Sequence, residues 1–381
     1  VFQTSYIELS QSALSHNFNY LKSIVGPDTK ISTVIKGNAY GHGISDFVKM
    51  MLKAGQDHFS VFSADEALLC REVAPDASIL IMGMLENEEI AWALDNNIEF
   101  YIFEIDRLEY TLRESSRLGK KALIHLELET GMNRTGLRKE EVNAAIKLLK
   151  PSNAYELKGI CTHYAGAESI GNYKRIKEQI KSFKQQVKQL QRYGLVAERY
   201  HSASSAATLT YPQTQMDMVR IGILSYGFWP STETFIQCLK GKEDKTDPLK
   251  RILSWKSKVM STKTVETGEF IGYGTTYMAR ENMKIATVPV GYSHGYSRSL
   301  SNQGRVLVNG ERVSVIGIVN MNMLVIEITD IPETKKGDEV VLIGNQGDHN
   351  LSVSSFSELS DQLNYELLTR LPHNIPRIIV N

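Results

Sequence analysis

A lysine that closes a buried apolar strand is the first residue in this chain with the makings of a reagent. The run Val34-Ile35-Lys36-Gly37-Asn38-Ala39-Tyr40-Gly41-His42-Gly43 sets Lys36 directly behind the β-branched stretch 31–35, which reads as an interior strand. An ammonium is disfavoured in such surroundings unless it is paired, so the amine is biased toward its neutral, nucleophilic form. An amine of that kind forms a Schiff base with an aldehyde. On position alone, a lysine that caps its strand and turns to solvent is an equal reading, and the rest of the chain must separate the two.

Other apolar runs also end in polar residues. One leads into Glu127-Leu128-Glu129-Thr130-Gly131-Met132-Asn133-Arg134 and another into Cys161-Thr162-His163-Tyr164. A third gives His201-Ser202-Ala203-Ser204-Ser205-Ala206-Ala207, and a fourth runs Met218-Val219-Arg220-Ile221-Gly222-Ile223. A single histidine in an apolar run is ordinarily a satisfied core residue. Polar strand ends repeated along the chain point instead to one shared rim.

The elements that must position these residues follow from hydrophobic periodicity. Residues 2–9 alternate like a strand, and Ser10 reads as the N-cap of a helix carrying Leu14, Phe18 and Leu21. Apolar runs at 31–35, 58–62, 78–82, 98–103, 122–128, 157–164, 199–203 and 218–224 predict eight strands. Helical patterns fill the gaps, as at 66–73, 107–118, 139–149 and 173–193. Such alternation predicts an α/β architecture, an N-terminal (β/α)8 TIM barrel with its chemistry at the C-terminal ends of the strands. Composition changes at Pro230, Ser231 and Thr232 and through the charged stretch 240–245. The expected domains are therefore a barrel over 1–238 and a C-terminal all-β domain over 239–381. Its strands are expected at 253–264, 284–290, 305–308, 313–318, 323–328 and 339–343, with a short helix near 354–363. Val308-Asn309-Gly310-Glu311 reads as a tight hairpin, and the first few residues are candidates to add a strand to this domain.

Bulk properties narrow the function. With 43 basic and 43 acidic residues among 381, no net charge points to nucleic acid or a membrane surface. Cys70, Cys161 and Cys238 have neither metal-type spacing nor a disulfide framework, which fits a reducing compartment. No apolar run is long enough to cross a bilayer and no signal-peptide pattern opens the chain. The first residue is valine, so a removed leader remains open; a cytoplasmic soluble enzyme is expected.

The motifs together resemble the alanine racemase family, two-domain fold-type III enzymes that use pyridoxal 5′-phosphate (PLP). The Lys36 run is similar to the family's PLP-lysine signature. Thr130-Gly131-Met132-Asn133-Arg134, Gly272-Tyr273-Gly274-Thr275-Thr276-Tyr277, Pro289-Val290-Gly291-Tyr292 and Asn364-Tyr365-Glu366 follow in the family's order. The resemblance implies that Lys36 holds PLP and then acts as a base on one face of the substrate Cα. It implies that Tyr273, contributed by a partner subunit in a homodimer, serves the opposite face. Removal of a proton from one side and its return from the other calls for two groups, and PLP stabilises the carbanion between them.

By the same resemblance Arg220 faces the PLP ring nitrogen. Its permanently charged guanidinium leaves that nitrogen unprotonated and weakens the electron sink. His163 lies behind the cofactor and bonds this arginine, and Arg134 lies near the cofactor's phenolic oxygen and the substrate carboxylate. Tyr40, Ser205, Tyr365 and the amides of Gly222 and Ile223 hold the phosphate. Tyr292 and Met321 come from the second subunit, near the substrate carboxylate and the entrance. The implied reaction interconverts L- and D-alanine for D-alanine supply to peptidoglycan. The alternative is a racemase of the same family acting on serine, on other amino acids or on a broad range.

Five departures from the family pattern stand out. Gly37 replaces alanine, Glu127 stands where many members carry a carbamylated lysine, and Ser204 replaces asparagine. Asn320 and Asn322 replace the cysteine and aspartate that flank the position of Met321. Glu127 is expected to orient Arg134 with a permanent carboxylate, while the last pair bears on substrate preference and rate. Three other classes carry different signatures. An amino-acid decarboxylase is expected to show a Gly-Gly-Gly phosphate loop and a glutamate at the pyridine nitrogen. A non-catalytic PLP carrier resembles the barrel alone, and a Schiff-base aldolase needs neither Arg220, Tyr273 nor a second domain.

Overall fold

The computed structural model describes residues 3–353 and 364–381. The first strand, β1 (Ser5–Ser10), joins the sheet of the C-terminal half. Eight strands follow that pair in parallel: β2 (Lys30–Val34), β3 (His58–Ser63), β4 (Ser78–Met84), β5 (Glu99–Ile102), β6 (Ala122–Glu127), β7 (Tyr155–Cys161), β8 (Arg199–His201) and β9 (Met218–Ile221). Their order runs sequentially from β8 down to β2, and β9 lies on the far side of β2. The gap between β8 and β9 is bridged by Arg220 N–H donating to Ala203 O at 2.9 Å and Asp217 N–H to Tyr200 O at 3.2 Å. Every strand predicted for the barrel is present, and the sheet closes on itself as a TIM-like barrel.

Helices between the strands include Ala64–Val73, Ile105–Leu118, Lys139–Leu149 and Tyr173–Arg192. Strands such as β5 are buried along their whole length, as expected of parallel strands covered on both faces. The barrel interior is unusual in its lower half, where Ser32, His58, Ser60, Glu99 and His125 stand fully or almost fully buried.

The second sheet is mostly antiparallel. Its further strands are β10 (Leu253–Lys258), β11 (Ser261–Val265), β12 (Met283–Val288), β13 (Arg305–Val308), β14 (Glu311–Ile316), β15 (Leu324–Glu327), β16 (Glu339–Gln346), β17 (His349–Leu351) and β18 (Arg377–Val380). The expected single strand at 253–264 is two, β10 and β11, which pair with different neighbours, β16 and β12. Asn309 and Gly310 both have positive φ (50° and 82°) between the paired residues Val308 and Glu311. That is the backbone of a two-residue hairpin whose twist suits its strands. β1 lies between β10, to which it is antiparallel, and β18, to which it is parallel. The helix expected near 354–363 and the start of the strand expected from residue 2 lie outside the described residues.

The chain divides into two compact units, Ala13–Lys36 with Phe47–Lys250, and Val1–Ser12 with Gly37–Asp46 and Arg251–Asn381. The first runs beyond residue 238 because Asn17 grips Lys250 twice, through its amide donor (2.7 Å) and its amide oxygen (2.8 Å). The segment 37–46 groups with the second because Gly41 packs against Leu368, where any Cβ would overlap the Leu368 carbonyl. Arg377 Nη2 also donates to Gly41 O at 2.9 Å. Among the described residues no helix is long and apolar enough to cross a membrane.

Candidate active site

Lys36 follows the last residues of β2, and the backbone turns sharply behind it. Gly37, Asn38, Ala39, Tyr40 and Gly41 all have positive φ, between 49° and 81°. Three of these carry a Cβ; asparagine tolerates the region, but Ala39 and Tyr40 are each disfavoured there by about 1–2 kcal/mol. Strain of this kind persists only where surrounding structure over-determines it, and it concentrates at functional sites.

Water reaches Lys36, yet the residue sits among enough protein that its pKa is lowered, first by desolvation and then by the charges of Arg134 and Arg220. Glu66 pulls the other way. The amine is thereby moved toward the state a Schiff-base nucleophile needs. Arg220, in β9, is buried and multiply bonded: Nη1 to His201 Nδ1 at 2.5 Å and to His201 O at 3.2 Å, Nη2 to Thr162 O at 2.8 Å. The expectation that His163 bonds this arginine is therefore corrected to His201. The reason is the closure of the barrel, which seats Arg220 beside the backbone that follows β8 rather than β7. His163 remains electrostatically tied to the same group. Burial, with Arg220, Arg134 and Lys36 adding, drives its pKa down to about 3 and keeps its ring neutral.

Arg134 is exposed, and its charge acts on Lys36, His163 and Glu127. The loop that carries it is shaped by Glu129, whose carboxylate accepts from the amides of Gly131 and Asn133. Glu127, at the end of β6, is buried, and burial raises its carboxyl pKa against the opposing pull of Thr135, Arg220 and Arg134. It touches Arg134 through charge alone. Gln179, on the helix Tyr173–Arg192, ties the two loops together by donating to Thr130 Oγ1 (3.2 Å) and His163 O (3.1 Å) and accepting from Ala165 N–H (2.9 Å). Sequence reasoning missed it, since a glutamine on an amphipathic helix carries no signal.

Ser205 and Gly222 meet where two strands give way to helical turns, the Gly222 amide donating to Ser205 Oγ at 2.9 Å. Ile223 opens the turn that follows. Ser204 pairs with Arg220 through backbone. In the other unit Tyr40 and Tyr365 pack edge to face at 6.4 Å.

That unit also carries the remaining expected residues. Tyr273 stands 71% exposed on a loop between Gly272 and Gly274, which both have positive φ. Tyr292 and Met321 occupy neighbouring loops and are 41% and 55% exposed. Tyr292 N–H donates to Asn320 O and Ser293 N–H to Met321 O, each at 3.0 Å. Asn322 donates to Ser293 Oγ at 3.1 Å, so one of the departing residues serves to brace this corner.

One glycine makes the barrel interior possible. A Cβ on Gly159 of β7 would overlap His125 Nδ1 and come within 2.8 Å of His201 Nε2. Gly159→Ala is expected to destabilise the chain by about 3 kcal/mol, as overpacking of a rigid core does, read as a lower urea midpoint at constant slope.

The family model described as alanine racemase, N-terminal domain, matches residues 9–230, and that for the C-terminal domain matches residues 252–379. An alanine racemase of Leptospira interrogans is 35% identical over 99% of this chain and 96% of its own. One of Halothermothrix orenii is 33% identical, with 99% and 97% covered. Among solved structures, an alanine racemase of Bacillus anthracis with bound L-Ala-P superposes with a TM-score of 0.90 at 32% identity, covering 100% of this chain and 96% of that one. With both domain models matched in order along nearly its whole length, the chain belongs to the alanine racemase family.

Proposed function

We propose that this chain is a PLP-dependent racemase that interconverts L- and D-alanine. The observation that carries the reading is Lys36, an amine at the barrel mouth whose ammonium form is opposed by desolvation and by two guanidiniums. The donor set suits PLP: a nucleophilic amine for its aldehyde, Arg220 and Arg134 for its ring and phenolic oxygen, and Ser205 with the Gly222 and Ile223 amides for its phosphate. Tyr40 and Tyr365 supply phenols to the same phosphate, and neutral His163 supplies a flat, uncharged ring face. PLP, when bound, spreads the negative charge left at the substrate Cα.

Lys36 Nζ holds and returns the proton on one side of that carbon, and the Tyr273 hydroxyl does so on the other. Arg134, Tyr292 and Met321 orient the substrate carboxylate and bound the entrance. Tyr273, Tyr292 and Met321 reach the site from a second copy of the chain, so the working unit is a homodimer. Glu127 supplies its carboxylate charge to Arg134, against the burial that raises its pKa. The product D-alanine suits peptidoglycan synthesis in the cytoplasm.

Chiral separation after incubation with PLP tests this directly. L-alanine and D-alanine should each approach the same equal mixture, because enantiomers have equal free energies. A panel of other L-amino acids, serine first, measures specificity. Retention of optical purity by every amino acid tried would defeat the reading.

A further inference from the structure

Below the barrel mouth runs a file of hydrogen-bonded groups that links the bottom of the barrel to Arg220. Glu99 opens β5 and is nearly fully buried, while His125 in β6 and His201 at the end of β8 have no exposed surface. His125 Nε2 lies 2.7 Å from Glu99 Oε2, and His125 Nδ1 lies 2.8 Å from His201 Nε2. His201 Nδ1 lies 2.5 Å from Arg220 Nη1.

The two ends dictate where each proton sits. A guanidinium only donates, and an ionised carboxylate only accepts. Arg220 therefore donates to His201 Nδ1, His201 Nε2–H donates to His125 Nδ1, and His125 Nε2–H donates to Glu99. Both rings are neutral and both are the Nε2–H tautomer. Burial favours neutral rings at both positions, helped at His201 by the charge of Arg220. Glu99 is further surrounded by His58 Nε2 at 3.6 Å and Arg199 Nη1 at 3.4 Å. Burial works against its ionisation, yet the partners His125 and His58 hold its carboxyl far below the usual range. Tyr101 flanks both His125 and His201, with ring centroids 6.2 Å away.

We propose that Glu99 is a positioning residue for the reaction: by accepting the last proton of this file it keeps His201 in the tautomer that receives Arg220, and so fixes the guanidinium at the barrel mouth. This rests on the racemase reading, in which Arg220 faces the PLP ring. A role confined to satisfying buried polar atoms would hold the barrel together without governing the tautomer or turnover.

The test is nitrogen-15 NMR of the imidazoles in the full chain with no PLP added, assigned through His125→Gln and His201→Gln. Both rings should be neutral Nε2–H between about pH 5 and 8, the range in which an ordinary histidine titrates. A protonated ring, or Nδ1–H at either position, overturns the proposal whether or not any variant folds. In Glu99→Gln the end group presents N–H as readily as oxygen, so both tautomers of His125 and His201 should become populated. In the PLP-loaded enzyme kcat should then fall about 10-fold, as for loss of comparable supporting bonds, with KM and the urea midpoint near wild type. An unchanged His201 tautomer in Glu99→Gln overturns the proposal, and so does a changed tautomer with unchanged kcat. The wild-type chain's chiral assay is a separate readout: its failure removes the racemase reading and leaves the tautomer result standing.

Discussion

Lys36→Ala is expected to lower racemisation by roughly 10⁴-fold or more while leaving the fold in place. The variant removes at once the amine that attaches the coenzyme and one of two proton carriers, and loss of a positioned acid–base group alone is worth about 10²–10⁴-fold. The fold should survive because Lys36 is open to solvent and the strand before it is held by backbone pairing to β3 and β9. Borohydride treatment of the PLP-loaded wild type should add one phosphopyridoxyl group, the coenzyme less water plus two hydrogens, to the peptide containing Lys36. The same treatment of Lys36→Ala should add none. A coenzyme adduct on another residue of the variant would move the reactive amine elsewhere.

The second large effect is a recovery of activity from two dead chains. Tyr273→Phe keeps the ring and deletes the proton carrier, so it should be nearly inactive alone. Coexpressed with Lys36→Ala at equal levels, it should yield roughly one quarter of wild-type activity, because random pairing gives half heterodimers and each holds one intact site. The 71% exposure of Tyr273 in a single chain motivates this expectation, since a phenol built for chemistry gains little from facing bulk water. Activity no greater than that of the parents would show that Lys36 and Tyr273 act within one chain, or that Tyr273 carries no proton.

Much of this architecture is legible in the residues, and the limits of that legibility have physical causes. Lys36 and Arg220 stand out because each interrupts or ends an apolar run, which a buried strand rarely tolerates. The hairpin at Asn309-Gly310 is legible because few residues accept two consecutive positive φ values. By contrast, Glu99, His125 and Gly159 look unremarkable one at a time. Their meaning depends on strand register, and β6 and β7 shift register between Ile124 and His125. The expectation that His163 bonds Arg220 fails for the same reason: which neighbouring strand supplies the histidine is decided by how the barrel closes. The left-handed turn at 37–41 is signalled by its glycines and by Asn38, but not by Ala39 and Tyr40, whose local preferences oppose it. The segment's contacts with Leu368 and Arg377, remote in sequence, outweigh those preferences.

The place of β1 in the second sheet has a consequence for how the chain is made. On the ribosome this strand emerges before either of its partners, β10 and β18, which follow only after the whole barrel has been translated. Throughout that interval its alternating apolar face and unpaired amides are exposed, the condition under which strands pair with the wrong partner. Slowing translation within the barrel, or truncating the chain before β18, should therefore increase aggregation seeded at β1, even in a barrel that folds normally.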